Sequence, residues 1–232
     1  MKRTALRLLA LLFAALLCYS AYRVWGISRD YRAEAEMHGL VMEYKPRPEG
    51  YANQGVIDLM EKYPDVAGWL TVPNTNIDYP FVWYRDNDFY LRRDLNGGDA
   101  TAGTLFMDYR CKADFTSQNT VIYGHHMKNG SMFGTLKTFA EDGFFADNTR
   151  GDIYLPHGTL ALEFFACLVV NHTDEIIYSE NLDENYLTYV KRNARQYRDA
   201  GLLDADRVVT LSTCSYEFNN ARMVLLAKVI PT

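Results

Sequence analysis

Two short apolar runs carry the residues whose chemistry stands out. Val208-Val209-Thr210-Leu211-Ser212-Thr213-Cys214 ends in a thiol, and Arg222, eight residues further on, opens Met223-Val224-Leu225-Leu226-Ala227-Lys228-Val229. Both runs are rich in aliphatic and β-branched residues, and the polar stretch from Ser215 to Asn220 is long enough for the loop of an antiparallel pair. Side chains alternate across a strand, so Thr210, Ser212 and Cys214 share one face while Arg222, Val224 and Leu226 share a face of the second run. The cysteine and the arginine can therefore meet. A thiol at a strand end is commonly an inert small hydrophobe. Against that stands Asn119-Thr120-Val121-Ile122-Tyr123-Gly124-His125, another β-rich run, which ends in glycine and then histidine. A nucleophile (Cys214), a proton-transfer group (His125) and a fixed cation (Arg222) are the parts that acyl transfer through a thioester requires.

Three further polar residues compete for roles. His126 follows His125, and alternation on an extended strand sends the two to opposite faces, so only one can point at Cys214. His172, in Asn171-His172-Thr173-Asp174, also ends an apolar strand but lacks the preceding glycine. Ser212 shares the face of Cys214, where its hydroxyl serves either substrate hydrogen bonding or the strand itself. His38 and His157 read as solvated surface residues.

The elements that must position these groups are mostly strands. From Gly68 to Thr120 short β-rich pieces alternate with Pro73-Asn74, Asp86-Asn87, Asn96-Gly97-Gly98 and Gly103, a pattern of strands and turns that predicts an all-β barrel or sandwich. A helical patch from Met132 to Phe139 and strands at Asp152–Leu155 and Thr159–Asn171 follow. Ser179 to Ala200 reads as a long amphipathic helix, with Asn181 or Asp183 as its cap, Leu182, Tyr186, Leu187, Val190 and Ala194 on its apolar face, and Gly201 after it. A short helix is predicted from Asn53 to Tyr63, ahead of Pro64.

The N-terminus is of another kind. Basic residues precede the apolar run from Leu8 to Tyr22, which is shorter than the ~20 residues of a full span. Arg7 and Arg23 can snorkel, however, and Tyr22 and Trp25 suit the interface, so residues 1–27 are expected to be an uncleaved membrane anchor. A cleaved signal peptide is the alternative. Residues 28–50 form a membrane-proximal helix and a linker broken at Lys45–Gly50, and residues 51–232 the catalytic domain.

With 48% hydrophobic residues among 232, the chain can pack a core, and its net charge of -5 opposes a nucleic-acid partner. The four cysteines, Cys18, Cys111, Cys167 and Cys214, show no zinc-ligand spacing, so neither metal nor cofactor is expected. Cys111 and Cys167 read as buried small hydrophobes, with a disulfide between them as the alternative.

The stretches Tyr123-Gly124-His125 and Thr210-Leu211-Ser212-Thr213-Cys214 with Arg222 resemble the active-site motifs of sortases. Gly68 to Pro80 and Gly103 to Arg110 resemble early strands of the class B branch, so the likeness runs from about residue 55 to the C-terminus. It implies a closed, mainly β sortase barrel with N-terminal helices and a long helix inserted before the cysteine strand, walling the substrate groove. It implies His125, Cys214 and Arg222 as catalytic residues and an enzyme that cleaves sorting signals of secreted proteins. The freed carbonyl would join an amine of a peptidoglycan precursor, or a pilin subunit, outside the cell membrane. Two other classes stay open on the residues alone: a papain-like cysteine peptidase, which would place its cysteine at a helix N-terminus, and a membrane-tethered β-domain that only binds peptide.

Overall fold

The computed structural model describes residues 2–47 and 52–230. Helix α1 (Lys2–Val41) runs unbroken for 40 residues, through the apolar segment and the charged one beyond it, where the sequence predicts two pieces. No proline precedes Pro46, and the isolated Gly26 and Gly39 weaken a helix without interrupting its hydrogen bonds. The helix holds an 18-residue window of mean hydropathy 1.9 with no part buried, so by length and composition it suits a membrane crossing. A 3-10 turn (Met42–Tyr44) follows it. Residues 45–47 are not helical, and the remainder of the expected break at Lys45–Gly50 lies outside the described residues. Contacts divide the chain into two compact units after Leu40.

The first α-helix of the second unit is α2 (Gln54–Lys62), where the sequence predicts it, burying Val56 and Leu59. Asn53 does not cap the helix with its side chain. Its Nδ2 donates instead to Leu155 O at 2.7 Å and Gly158 O at 2.9 Å. Strand β1 (Val66–Thr71) turns into antiparallel β2 (Asp78–Trp83) through Asn74, at a left-handed φ of 60°. A long connection leads to β3 (Leu105–Met107), parallel to β2, and β4 (Asn119–Tyr123) returns antiparallel to β3. After α3 (Asp142–Asp147), β5 (Arg150–Leu155) and β6 (Gly158–Asn171) form a hairpin. Helix α4 (Tyr186–Asn193) and the two-residue β7 (Gln196–Tyr197) precede β8 (Val208–Cys214) and β9 (Ala221–Ile230). The strand order is β5-β1-β2-β3-β4-β8-β9-β6-β7, and β5 also pairs with β6. The first eight strands of that order therefore close into a barrel, and β7 hangs from β6. Trp69, Phe81, Phe133, Phe139 and Phe164 are fully buried.

The segment between β6 and β8 departs most from expectation. The predicted helix over Ser179–Ala200 is confined to eight residues, Tyr186–Asn193, and its N-cap is Asn185, which makes no side-chain capping bond. On the N-terminal side the Ser179 and Asp183 side chains accept from the nearby amides of Asn181 and Asn185, forming local turns in place of a helical ladder. On the C-terminal side Arg195 N donates to Cys167 O and Arg198 N to Phe165 O, because the edge of β6 offers strand partners that a helix would leave unused. The patch at 132–139 is likewise reduced to a 3-10 turn at Leu136–Ala140, and α3 follows it without a counterpart in the sequence prediction.

This inserted segment covers one outer face of the barrel. Ile177, Tyr178, Tyr186 and Val190 join a buried cluster with Val121, Phe165, Leu168, Val208, Val224 and Leu226. A buried amide fastens it: Asn119 Nδ2 donates to Ile177 O at 3.0 Å and Ser179 O at 2.8 Å, and its Oδ1 accepts from Thr210 Oγ1 at 2.8 Å. Asn119→Ala should lower the free energy of unfolding by roughly 2–4 kcal/mol in urea melts, since several buried partners lose their bonds at once. A loss below about 0.5 kcal/mol would mean that apolar contact alone holds the segment.

Candidate active site

Strands β8 and β9 bring the thiol and the guanidinium together. They pair antiparallel with Thr210 opposite Leu226, Ser212 opposite Val224 and Cys214 opposite Arg222. The loop between them is closed by Ser215 N donating to Ala221 O at 2.9 Å, with Asn220 at a left-handed φ of 61°. Cys214 is partly exposed, whereas Cys111 and Cys167 are buried and all are free thiols. Burial pushes the Cys111 thiol up to about 11 and that of Cys167 up to about 12, so neither is a nucleophile near neutral pH. The cysteine at position 214 ends a strand, which opposes the papain-like arrangement, and its exposure opposes a purely structural thiol.

The histidines arrive on β4, which lies parallel to β8 with Tyr123 opposite Ser212. The contact continues one residue further: Gly124 N donates to Ser212 O at 3.1 Å, and Thr213 Oγ1 donates to Gly124 O at 2.7 Å. Glycine is required here because a Cβ would stand 2.4 Å from Leu105 Cδ2 and 2.8 Å from the Phe133 ring. His125 thus leaves β4 beside the end of β8. Its Nε2–H donates to Leu91 O at 2.6 Å, which leaves Nδ1 free of the proton in the neutral ring. Leu91 belongs to a 3-10 turn, Tyr90–Arg92, against which Gly103 packs so closely that a Cβ would lie 2.5 Å from that carbonyl. Burial lowers the His125 pKa, aided by Arg92 and opposed by the Leu91 carbonyl.

His126 diverges. It bridges to Met132, and its ring meets Tyr216 at 5.7 Å and an interplanar angle of 87°. His172 is exposed at the end of β6, with Nδ1 2.9 Å from Asn171 Oδ1.

Ser212 is fully buried, and its Oγ lies 2.9 Å from the Tyr178 hydroxyl. The wall on this flank of the cysteine is thus Tyr178, from the loop before α4, rather than the helix. Burial pushes the Tyr178 hydroxyl up to about 12, and Arg222 and Cys214 both act on it electrostatically. Behind it, Arg110 forks onto Asp108 at 3.0 and 2.8 Å and donates to Tyr178 O at 3.3 Å, while Tyr123 OH donates to Asp108 at 3.0 Å. Burial alone would raise the Asp108 carboxyl, but the bonds from Arg110 and Tyr123 outweigh it and hold the group below its ordinary range. The sequence shows Asp108 and Arg110 two apart after a short strand. It gives no sign that their partner is a tyrosine seventy residues on.

The chain is similar to known proteins over the length of the barrel. A family model for the sortase domain matches residues 70–230. Sortase B of Listeria monocytogenes is 35% identical over 181 residues, covering 75% of this chain and 73% of the relative. The X-ray structure of Clostridium perfringens sortase B is 34% identical with a TM-score of 0.70, over 75% of this chain and 99% of that one. That of sortase B from Bacillus anthracis is 28% identical with a TM-score of 0.75, over 88% and 99%. A domain match over most of the barrel, together with that degree of identity and a shared fold, makes this chain a member of the sortase family, on its class B branch of cysteine transpeptidases.

Proposed function

We propose that Cys214, His125 and Arg222 carry out the transpeptidation, with the register pairing of Cys214 and Arg222 as the observation that most supports it. Sortases act on sorting signals and on cell-wall precursors. In this chain the Cys214 thiolate attacks the backbone carbonyl carbon at the cleaved bond, and the carbonyl oxygen gains charge beside the Arg222 guanidinium. His125, as imidazolium, gives its proton to the departing amine as the C–N bond breaks. A thioester remains, and an amine from a peptidoglycan precursor resolves it. Ser212 serves this site indirectly: its hydroxyl, bonded to that of Tyr178, fixes the ring that flanks the bound peptide. Signals of the Asn-Pro-x-Thr-Asn and x-Pro-x-Thr-Gly kinds are the peptides to try. Residues 1–27 act as a single-pass anchor in the cell membrane, N-terminus cytoplasmic and barrel outside, in keeping with the basic residues ahead of the apolar run.

Cys214→Ala should abolish thioester formation on the best-cleaved peptide while the urea midpoint stays within error of wild type; a thioester on that variant would remove Cys214 as nucleophile. His125→Ala should come close to the same loss, and His126→Ala should lose far less. The opposite ranking would exchange the two roles.

Arg222→Lys keeps a charge but not the planar fork, and turnover should fall about a hundredfold, the scale of one lost oxyanion donor. Near wild-type turnover would assign the arginine another task. A truncation starting near residue 27 should be soluble and active on peptide, whereas full-length protein should sediment with membranes. Release of the protein with a new N-terminus near residue 22 would show a signal peptide instead.

A further inference from the structure

Cys214 has two flanks, and they are built differently. One is the flank of Ser212, Tyr178 and Arg222. The other is formed by the loop that follows the cysteine, together with His126. Tyr216, two residues past Cys214, is 74% exposed, and its ring is steadied by the His126 ring at 5.7 Å. Glu217 folds back toward the same place. Its carboxylate accepts from Tyr216 N at 3.1 Å and from the Ser215 hydroxyl, and Arg195 Nη2 lies 3.4 Å from its other oxygen.

The charge state of this flank follows from its surroundings. Burial lowers the His126 pKa, with Lys137 adding to the effect and Glu217 opposing it, so the ring is mostly neutral near pH 7. Burial would raise Glu217, but its hydrogen bonds from Ser215 and the backbone and the nearby Arg195 hold it low, so it is ionised. The Arg195–Glu217 pair is solvated on both sides, so an arriving ammonium can take the place of the guanidinium on the carboxylate. An open aromatic face beside such a carboxylate suits one kind of ligand: a primary ammonium on a flexible aliphatic arm, whose methylenes lie on the ring while the nitrogen reaches the oxygens.

We propose that Tyr216, steadied by His126, and Glu217 form the receiving site for the acceptor amine, a primary ammonium at the end of an unbranched aliphatic chain. The site lies on the flank of Cys214 away from Tyr178, and the proposal rests on the acyl-transfer role of Cys214 given above. The bound ammonium loses one proton to solvent, and its lone pair attacks the thioester carbonyl. The new N–C bond forms as the C–S bond breaks. Sulfur leaves as thiolate, and the second nitrogen proton passes to neutral His125, which restores the starting pair.

The test uses the full-length protein, the best-cleaved sorting peptide and Nα-acetyl-lysine amide as the amine, reading the ratio of transfer product to hydrolysis product. Tyr216→Ala and Glu217→Gln should each raise the amine concentration needed for equal products by about fivefold, in line with one exposed cation–aromatic or ionic contact. Thioester formation from peptide alone should change by less than about twofold, since neither residue touches the peptide flank, and Tyr216→Phe should keep the wild-type ratio. An unchanged ratio in both variants overturns the proposal, as does a loss of thioester formation as large as the loss of transfer, which would place these residues on the peptide. If the wild-type chain forms no thioester, the role given to Cys214 fails and this site fails with it. Wild-type thioester with unaltered partitioning in the variants removes the receiving site alone.

Discussion

The register of β8 on β9 is the constraint on which the rest of the structure depends. A slip of one residue would set Thr213 opposite Arg222 and turn the thiol to the other face of the sheet. Alternation alone does not prevent that slip, because β8 is buried along nearly its whole length and both its faces are satisfied by apolar or small residues. The register is held from the sides instead. β8 pairs with β4 as well as β9, and β9 pairs with β6 as well as β8, so closure of the barrel leaves neither strand an edge along which to move. The Ser215–Ala221 bond closes the loop at the length this pairing requires.

An irregular segment covers the outer face beside the cysteine, and it has few ladder bonds of its own. Side chains rooted in the barrel supply them: Asn119 of β4 binds the carbonyls of Ile177 and Ser179, and Arg110, fixed by buried Asp108, binds the carbonyl between them. Three successive carbonyls are thereby tied to the strands that flank the site. Tyr178 consequently has little freedom to move, and its hydroxyl meets Ser212 at the cysteine's own face. Burying charge at Asp108 is tolerable because Arg110 matches both of its oxygens and Tyr123 adds a third bond.

The adjacent histidines illustrate how a single backbone position divides tasks. Gly124 lets β4 pass close under Leu105 and Phe133, and the chain then turns out of the sheet before either imidazole is reached. His125 is taken by the Leu91 carbonyl and His126 by Tyr216. One ring therefore has a fixed tautomer beside the end of the cysteine strand, and the other serves the loop that follows the thiol. The carbonyl partner offsets part of the burial that disfavours imidazolium at His125.

The sequence by itself determined the strands at both ends of the site, their polar loop, the glycine ahead of His125, the mainly β class and the apolar N-terminal helix, while barrel and sandwich stayed equally open on the residues alone. Each of these rests on local periodicity and short-range chemistry: alternation, β-branched runs, turn residues and an apolar run flanked by arginines and aromatics that suit a membrane interface. Only the tertiary structure decided that the predicted helix over Ser179–Ala200 shrinks to eight residues, because the free edge of β6 and local side-chain turns compete for the same backbone groups. It also decided that Tyr178 walls the cysteine, that Leu91 orients His125 and that Tyr216 meets His126. Those contacts join residues thirty to ninety positions apart, and nothing in the types of the partners identifies one to the other. They arise from barrel closure, which brings distant loops to one end of the sheet and lets buried polar groups find their partners there.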